Sequence, residues 1–214
     1  MLQLSKFRIG IFLAIMILTV VAVPTAQAQR RNMGGLRPGN ASPARLLPVE
    51  SVQVELKLTD QQKEKAAEIN EMLTASRHEL FATIKKDSKE RGPKAAELER
   101  KAHAGIDELL DDAQEKRLKE LLLQVNGASE LSRKEIREAL KITKEQQKKL
   151  AEIRRSNMKA RQEALENYEG DRMQKSVELL QEADKKLLEV LTDEQRKQFE
   201  SMKGKKITIE LFSA

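Results

Sequence analysis

The chain has no cysteine, no tryptophan and only two histidines among its 214 residues. Without cysteine it can form no disulfide, no thiol nucleophile and no cysteine-ligated metal site. Aromatic residues make up 3% of the chain, so a thick globular core is not expected. The 35% of charged residues is instead typical of long helices that carry narrow apolar stripes, and stability has to come from packing those stripes.

The residue patterns that support catalysis are also missing. There is no serine–histidine–acid order and no glycine-rich phosphate loop. Carboxylates alternate with Lys and Arg at helical spacing, as in Glu97/Lys101 and Glu145/Lys149, which is typical of ion pairs that support a helix. We therefore expect a protein that is not an enzyme and has no cofactor.

The first 28 residues have the composition of a signal peptide. Lys6 and Arg8 precede an uncharged stretch over residues 9–23, and Ala26-Gln27-Ala28 has the small-x-small pattern of a cleavage site. The stretch is short for a membrane-spanning helix, which needs about 20 apolar residues. We expect cleavage after Ala28 and export to the periplasm, with an uncleaved membrane tether as the alternative.

The net charge of +6 comes from the N-terminal part of the chain. Six of the 40 basic residues and none of the 34 acidic ones precede Pro48, so 34 of each remain after it. A balanced body does not favour nucleic-acid binding, which needs clustered, uncompensated Lys and Arg. Residues 29–49 hold three glycines and three prolines without an apolar period. They are predicted to be a disordered basic linker, either a spacer or an arm that contacts anionic lipid or polysaccharide.

From residue 50 to 204 the apolar residues recur at the spacing of amphipathic helices. The predicted helices, in chain order, cover approximately residues 59–89, 98–125, 133–140, 150–168, 173–191 and 193–202. Gly92-Pro93 is predicted to be the clearest break, and Gly170 marks a second turn. Ser132, with Glu135 three residues later, is predicted to cap the short helix.

The two halves of this region repeat each other. LKLTDQQKEKAAEI from Leu56 matches LKITKEQQKKLAEI from Leu140 at eight of fourteen positions, and LLDDAQEKRL from Leu109 aligns more weakly with VLTDEQRKQF from Val190. The prediction is an all-α fold of two tandem long helical hairpins, residues 50–127 and 128–204. It has four main helices plus short ones, arranged as an extended bundle or a cradle.

Residues 205–214 form a C-terminal tail with a different pattern. Ile207, Ile209 and Leu211 alternate with other residues at the period of two that is typical of a strand. The sequence offers no sheet for a single strand to join. The tail is therefore expected to be frayed or packed on the bundle, and pairing with the sheet edge of a partner is the third alternative.

A Leu-Thr-x-x-Gln motif recurs where helices are predicted to begin. The Thr oxygen can accept from the backbone N–H three residues on, while the Gln side chain reaches back to the N–H of Thr. Such a capping box contributes about 1 kcal/mol, and a weaker copy has Asp in place of Thr. The four copies contain Thr59 and Gln62, Asp111 and Gln114, Thr143 and Gln146, and Thr192 and Gln195.

The repeated motif, on an exported helical chain without cysteine, resembles the Spy/CpxP family of periplasmic proteins. Its arrangement is most similar to the tandem-repeat relatives of planctomycete-type bacteria, and the resemblance covers residues 50–204. It implies a helical hairpin fold, dimerisation into a curved cradle, and activity as an ATP-independent chaperone or an envelope-stress modulator. The doubling departs from the family pattern, because one tandem chain could build the cradle alone.

The expected partners are unfolded or envelope proteins and a second copy of the chain. One alternative is a coiled-coil scaffold that binds a single envelope partner, and another is a metal-responsive sensor. For the sensor, only His78 and His103 in opposing arms of the first hairpin are candidates, and without a third ligand no metal site is expected. The methionines at helical spacing are predicted to be packing residues: Met72, Met158, Met173 and Met202.

Overall fold

The computed structural model describes residues 39–166 and 168–209, apart from the side chain of Met173. The predicted signal peptide, residues 29–38 of the predicted linker and residues 210–214 of the tail lie outside these ranges. The described residues form α-helices, one 3₁₀ helix and no strand, so the predicted all-α fold is confirmed. The helices are α1 (Pro43–Leu46), α2 (Glu50–Glu55), α3 (Asp60–Thr83), α4 (Arg91–Leu109), α5 (Asp112–Asn126), α6 (Lys134–Ala139), α7 (Lys144–Glu166), α8 (Arg172–Leu188) and α9 (Asp193–Met202), with the 3₁₀ helix Gly127–Ser132 between α5 and α6.

Helices α2 to α5 recur in the same order as α6 to α9. The starts of α2 and α6, and of α3 and α7, are 84 residues apart, and those of the two later pairs are 81 apart. Each repeat thus has a short helix, a hairpin of two long helices and a closing helix. The long helices of each hairpin pack on each other, α3 on α4 and α7 on α8.

The segment before the first repeat is ordered from residue 39, which corrects the predicted disordered linker. Its apolar side chains are buried, and α1 contacts α3, α4 and α5. Pro43 occupies the start of α1, where a backbone N–H would have no acceptor within the helix, so its absence costs no hydrogen bond. The three glycines and three prolines of residues 29–49 indicated disorder, although the segment also contains a short apolar run. The buried residues of that run are Ala41, Ala44, Leu46, Leu47 and Val49.

The break predicted at Gly92-Pro93 is displaced. The turn of the first hairpin covers residues 84–90, and both residues lie inside the first turn of α4. Proline is tolerated there because the first N–H groups of a helix have no partner within it. The prediction therefore placed the turn a few residues too late.

The single helix predicted over residues 98–125 is two helices. Leu110 has extended backbone angles, φ −99° and ψ 147°, and the carboxylate of Asp111 caps the helix that follows. The predicted cap of the short helix α6 is wrong as well. Arg133 precedes that helix without a side-chain cap, and the Ser132 hydroxyl donates to the carbonyl of Ser129 at 2.8 Å.

The apolar core lies in two clusters, one for each repeat. The first is built from α1, α2, the linking turns and α5 against the hairpin, and the second includes Leu131, Leu191 and Phe199. The long helices contribute little to either cluster. Of 24 residues, α3 buries only Ala66 and Leu73, and α7 buries only Leu150 of 23. The core is therefore concentrated away from the hairpin turns. We call the long helices of the two hairpins, α3 and α4 and α7 and α8, the hairpin arms, and few apolar contacts join the two arms of a hairpin.

The described part of the tail packs on the first repeat. The side-chain amide of Gln124 donates to the carbonyls of Lys203 and Lys205 at 2.6 and 2.8 Å, and it accepts from the N–H of Ile207 at 3.2 Å. Ile207 and Ile209 pack against the first core cluster. Of the three predicted alternatives, packing on the bundle is the one that residues 205–209 adopt.

Between residues 39 and 209, leaving out residue 167, no helix has both the length and the apolarity that a bilayer span requires.

Candidate functional site

The four copies of the capping motif begin α3, α5, α7 and α9. In each copy the Thr or Asp side chain accepts from the backbone N–H of the Gln, and the Gln side-chain oxygen accepts from the N–H of the Thr or Asp. These eight bonds are 2.8–3.2 Å long. The capping boxes that the spacing predicted are therefore present.

The motif also joins two helices, which sequence reasoning missed. Gln62 Nε2 donates to Gln114 Oε1 at 2.8 Å, and Gln114 Nε2 donates back to Gln62 Oε1 at 3.2 Å. Each amide donates once more to a carbonyl at a helix end, Gln62 to Leu109 at 3.0 Å and Gln114 to Leu56 at 3.2 Å. We call this pair the first glutamine clasp. Each of its side chains donates two hydrogen bonds and accepts two, which satisfies the amide completely.

The second repeat contains the same arrangement, the second glutamine clasp. Gln146 and Gln195 exchange bonds of 2.7 and 3.2 Å, and they donate to the carbonyls of Val190 and Leu140 at 3.0 Å each. The sequence contained one signal for the clasps, because each repeat has one copy of the capping motif near its start and one near its end. Because helix ends leave carbonyls without intrahelical partners, the clasps supply donors where the backbone needs them.

The turn before each hairpin repeats an unusual backbone conformation. Lys57 and Lys141, which end α2 and α6, both have φ +51°, in the left-handed region that usually takes glycine. The residue after each lysine donates back five positions, Leu58 to Gln53 at 3.0 Å and Ile142 to Arg137 at 2.9 Å. This is the Schellman pattern of helix termination. A helix stop is thus followed at once by the capping box that starts the next helix.

The hairpin arms expose apolar side chains, which corrects the prediction that the methionines are packing residues. Met72 on α3 and Met158 on α7 are each 70% exposed. Met202 is half-buried against the second core cluster, and the side chain of Met173 lies outside the described atoms. Helical spacing placed two methionines on the apolar stripe, but nothing in the described chain covers that part of it.

Near the tip of the first hairpin, an aromatic side chain contacts two arginines. Phe81 is 40% exposed, and the guanidinium groups of Arg77 and Arg91 lie 5.1 and 4.5 Å from its ring centroid. Arginine over an aromatic face is a stabilising contact. The arm therefore presents an accessible aromatic side chain that is held in place by charge.

Buried polar groups lie between the helices of the second hairpin. Arg154 Nη2 and Asn157 Nδ2 are buried without a hydrogen-bond partner among the described atoms, and Arg161 donates to the buried Ser176 hydroxyl at 2.7 Å. Burial, together with the charge of Arg137, lowers the pKa of Arg154. In the first repeat, the position equivalent to Asn157 is the buried Leu73. A buried donor without an acceptor costs stability, so we expect these groups to weaken the second hairpin.

A partly buried carboxylate connects the second hairpin to the junction of the repeats. Asp184 Oδ2 accepts from the N–H of Ala128 at 3.2 Å, and burial raises the pKa of Asp184, opposed by that bond and by the charge of Lys203. A Cβ on Gly127, which has φ +54°, would lie 2.0 Å from this oxygen. Glycine is therefore required at the point where the chain leaves α5.

The candidate metal ligands do not form a cluster in the structure. His78 is exposed, and His103 Nδ1 lies 3.0 Å from Asp107 Oδ2. No group of three or more His, Cys, Asp or Glu side chains with metal-binding geometry occurs in the part of the chain that the structure describes.

Comparison with known proteins leaves the function to be argued from these features alone. No protein-family model, no curated protein and no solved structure matches this chain.

Proposed function

We propose that this chain is an exported, non-catalytic helical binding protein of the periplasm that captures partly folded proteins without ATP. In this proposal the hairpin arms hold the client, and the two core clusters keep the arms in place. The repeated motif of the Spy/CpxP family, to which the chain is similar, suggested such an activity. The hairpin arms themselves support it.

The observation that carries the proposal is the small apolar contact within each hairpin. Helices of 24 and 23 residues bury two and one apolar side chains, respectively, among those described. Apolar residues further along the arms, such as Leu80, Ile153 and Leu165, are only half-buried. An apolar stripe that is partly open to solvent can gain about 25 cal/mol for each Å² that a client covers.

The charges of the arms suit weak, reversible capture. Helix α3 carries five acidic and three basic residues, and α7 carries seven basic and four acidic ones. Basic clients can therefore be attracted to α3 and acidic clients to α7, which raises the rate of encounter. Because the apolar contact is thin, a client is released when its own core forms.

Suppression of aggregation tests this proposal. The chain without its predicted signal peptide is added to a thermally unfolding client enzyme, and light scattering is followed at several molar ratios. We expect suppression to weaken several-fold in the double variant Met72→Gln, Met158→Gln, because it removes exposed apolar contact area without touching the core. Val54→Gln is the matched control, since Val54 is also 70% exposed but lies on α2, outside the arms.

Two results would count against the proposal. One is unchanged scattering at a several-fold excess of the wild-type chain. The other is equal suppression by the double variant and the wild type, which would remove the arms from the mechanism. Circular dichroism of each variant confirms that the comparison is between folded proteins.

A coiled-coil scaffold is the second candidate, and the unequal charge of the arms favours it. The basic α7 of one copy complements the acidic α3 of another, so that two copies could cover each other's stripes. The mass in solution separates the candidates. A dimer that dissociates on raising salt and fails to suppress aggregation supports the scaffold, whereas a monomer that suppresses aggregation supports the chaperone.

A further inference from the structure

A cleft of about 550 Å³ opens where the N-terminal segment meets the first hairpin and the junction of the repeats. Its volume lies in the range of small-molecule sites in proteins. Four different segments of the chain each contribute an arginine to its lining. These are Arg45 of α1, Arg77 of α3, Arg100 of α4 and Arg133 just before α6.

The carboxylates in the lining neutralise only two of these arginines. Glu99 pairs with Arg77 at 2.9 Å, and Glu130 pairs with Arg133 at 2.8 Å. Glu130 also accepts from the buried amide of Asn126 at 2.8 Å. No other carboxylate is among the described residues that line the cleft.

Arg45 and Arg100 are left without such a partner. Within the described ranges, neither guanidinium forms an ion pair with a carboxylate, and the charges of Glu99 and Glu97 act on Arg45 and Arg100, respectively, only from a longer distance. Arg45 is partly buried, and burial together with the charge of Arg77 lowers its pKa, against a smaller opposing effect of Glu99. A partly buried guanidinium such as that of Arg45 is stabilised when an anion joins it.

A neutral donor in the same lining is also unused. The Ser42 hydroxyl is buried and has no hydrogen-bond partner among the described atoms. Buried polar groups are nearly always satisfied, so the unused hydroxyl in this lining is a further donor for a bound acceptor. The free cleft therefore has donors and positive charge in excess of acceptors and negative charge.

We propose that this cleft binds a small molecule through a phosphate group, with Arg45 and Arg100 as the charged donors and Ser42 as a neutral one. A phosphate monoester carries up to two negative charges, which matches the two unneutralised arginines. Its oxygens point in several directions, whereas a carboxylate has two oxygens in one plane. Donors that come from separate segments suit the tetrahedral group. The site uses Arg100 of α4 but not the exposed Met72 and Met158, and phosphate binding does not depend on client capture.

Calorimetric titration of the purified chain tests the site. Inorganic phosphate, glycerol phosphate and succinate are compared at constant ionic strength, the last as a dicarboxylate control. We expect glycerol phosphate to bind, and binding to weaken at least about tenfold in Arg45→Gln and in Arg100→Gln, since each removes a charged hydrogen-bond donor. Arg155→Gln is the matched control, because Arg155 is exposed on α7 and lines a different groove.

Thermal unfolding provides a second measurement that a merely structural role would not reproduce. Glycerol phosphate is expected to raise the Tm of the wild-type chain and not that of Arg45→Gln. Without ligand, Arg45→Gln should be at least as stable as the wild type, because it removes an unneutralised charge. If Arg45→Gln fails to fold, the same measurement on Arg100→Gln tests the site, since Arg100 is exposed at the rim of the cleft.

Vesicles identify the source of the phosphate group. Binding to phosphatidylglycerol but not to phosphatidylcholine vesicles, lost in both arginine variants, assigns the site to a lipid headgroup, and binding of glycerol phosphate alone assigns it to a free ligand. Three results overturn the proposal: no binding in any phosphate arm, equal binding by the wild type and both variants, and succinate binding as tightly as glycerol phosphate.

Discussion

Gln62 and Gln114 are 52 residues apart and exchange two side-chain hydrogen bonds, of 2.8 and 3.2 Å. Each side chain also completes the capping box of its own helix, at the start of α3 and of α5. One residue type therefore starts a helix and fastens it to a second one. The pair Gln146 and Gln195 does the same in the second repeat, which explains why the motif occurs twice in each half of the chain.

The glutamine clasp leads to the first prediction. Gln62→Ala and Gln114→Ala should each lower the free energy of unfolding by about 2–3 kcal/mol, because each leaves a helix-end carbonyl and the partner amide short of bonds. The double variant should lose less than the sum by at least about 1 kcal/mol, since the two residues act as one unit. Urea unfolding of the wild type, the two single variants and the double variant measures this coupling, with Gln61→Ala at an exposed neighbouring position as the control. Strict additivity would contradict coupling between the two glutamines.

The left-handed lysines lead to the second prediction. Lys57→Gly should raise the free energy of unfolding by about 1 kcal/mol, because glycine adopts φ +51° without a clash of its side chain. Lys148→Gly, at an exposed helical position in the second turn of α7, should lower it by about the same amount. Both are measured by chemical unfolding. A loss of stability in Lys57→Gly would mean that its side chain, rather than its backbone, matters.

A third prediction compares equivalent positions of the two repeats. Asn157→Leu should stabilise the second hairpin by about 1–2 kcal/mol, because it replaces a buried amide without a partner by the residue type found at Leu73. The reverse change, Leu73→Asn, should destabilise the first hairpin by more than that. Hydrogen exchange of α7 and α8 reports the local effect. No change in α7 protection in Asn157→Leu would show that this amide finds a partner in solution.

The fourth prediction concerns pH. Burial raises the pKa of Asp184 in the folded protein, so between the unfolded and folded pKa values the folded state binds more protons and stability falls as pH rises. The penalty is complete above the folded pKa and disappears below the unfolded pKa of about 4. Asp184→Asn keeps an acceptor for the N–H of Ala128 and should be more stable than the wild type at pH 7.

This advantage should shrink as the pH is lowered, which urea unfolding at a series of pH values measures. Asp87→Asn, in the turn of the first hairpin, is the control for loss of a carboxylate. An advantage of Asp184→Asn that stays constant with pH would contradict the burial of a charged Asp184.

Some elements of the fold could be predicted from the sequence and others could not. Periodicity and the repeated motif predicted the helical class, the two hairpins and the start of α3, because capping and amphipathic spacing act within a few residues. The same reasoning missed the break at Leu110, where apolar residues continue at helical spacing although the backbone is extended. It also treated Arg45 as part of a free arm, because glycine and proline dominate the segment around it.

The sequence by itself determined the capping boxes and the spacing of apolar residues along each helix, since those properties depend on neighbours three or four positions away. Only the tertiary structure decided that capping glutamines pair across 52 and 49 residues and that Met72 and Met158 stay exposed. It alone also brought four arginines from separate segments around one cleft. The reason is physical: burial, pairing and charge neutralisation depend on which segments meet, and the local pattern contains no record of that.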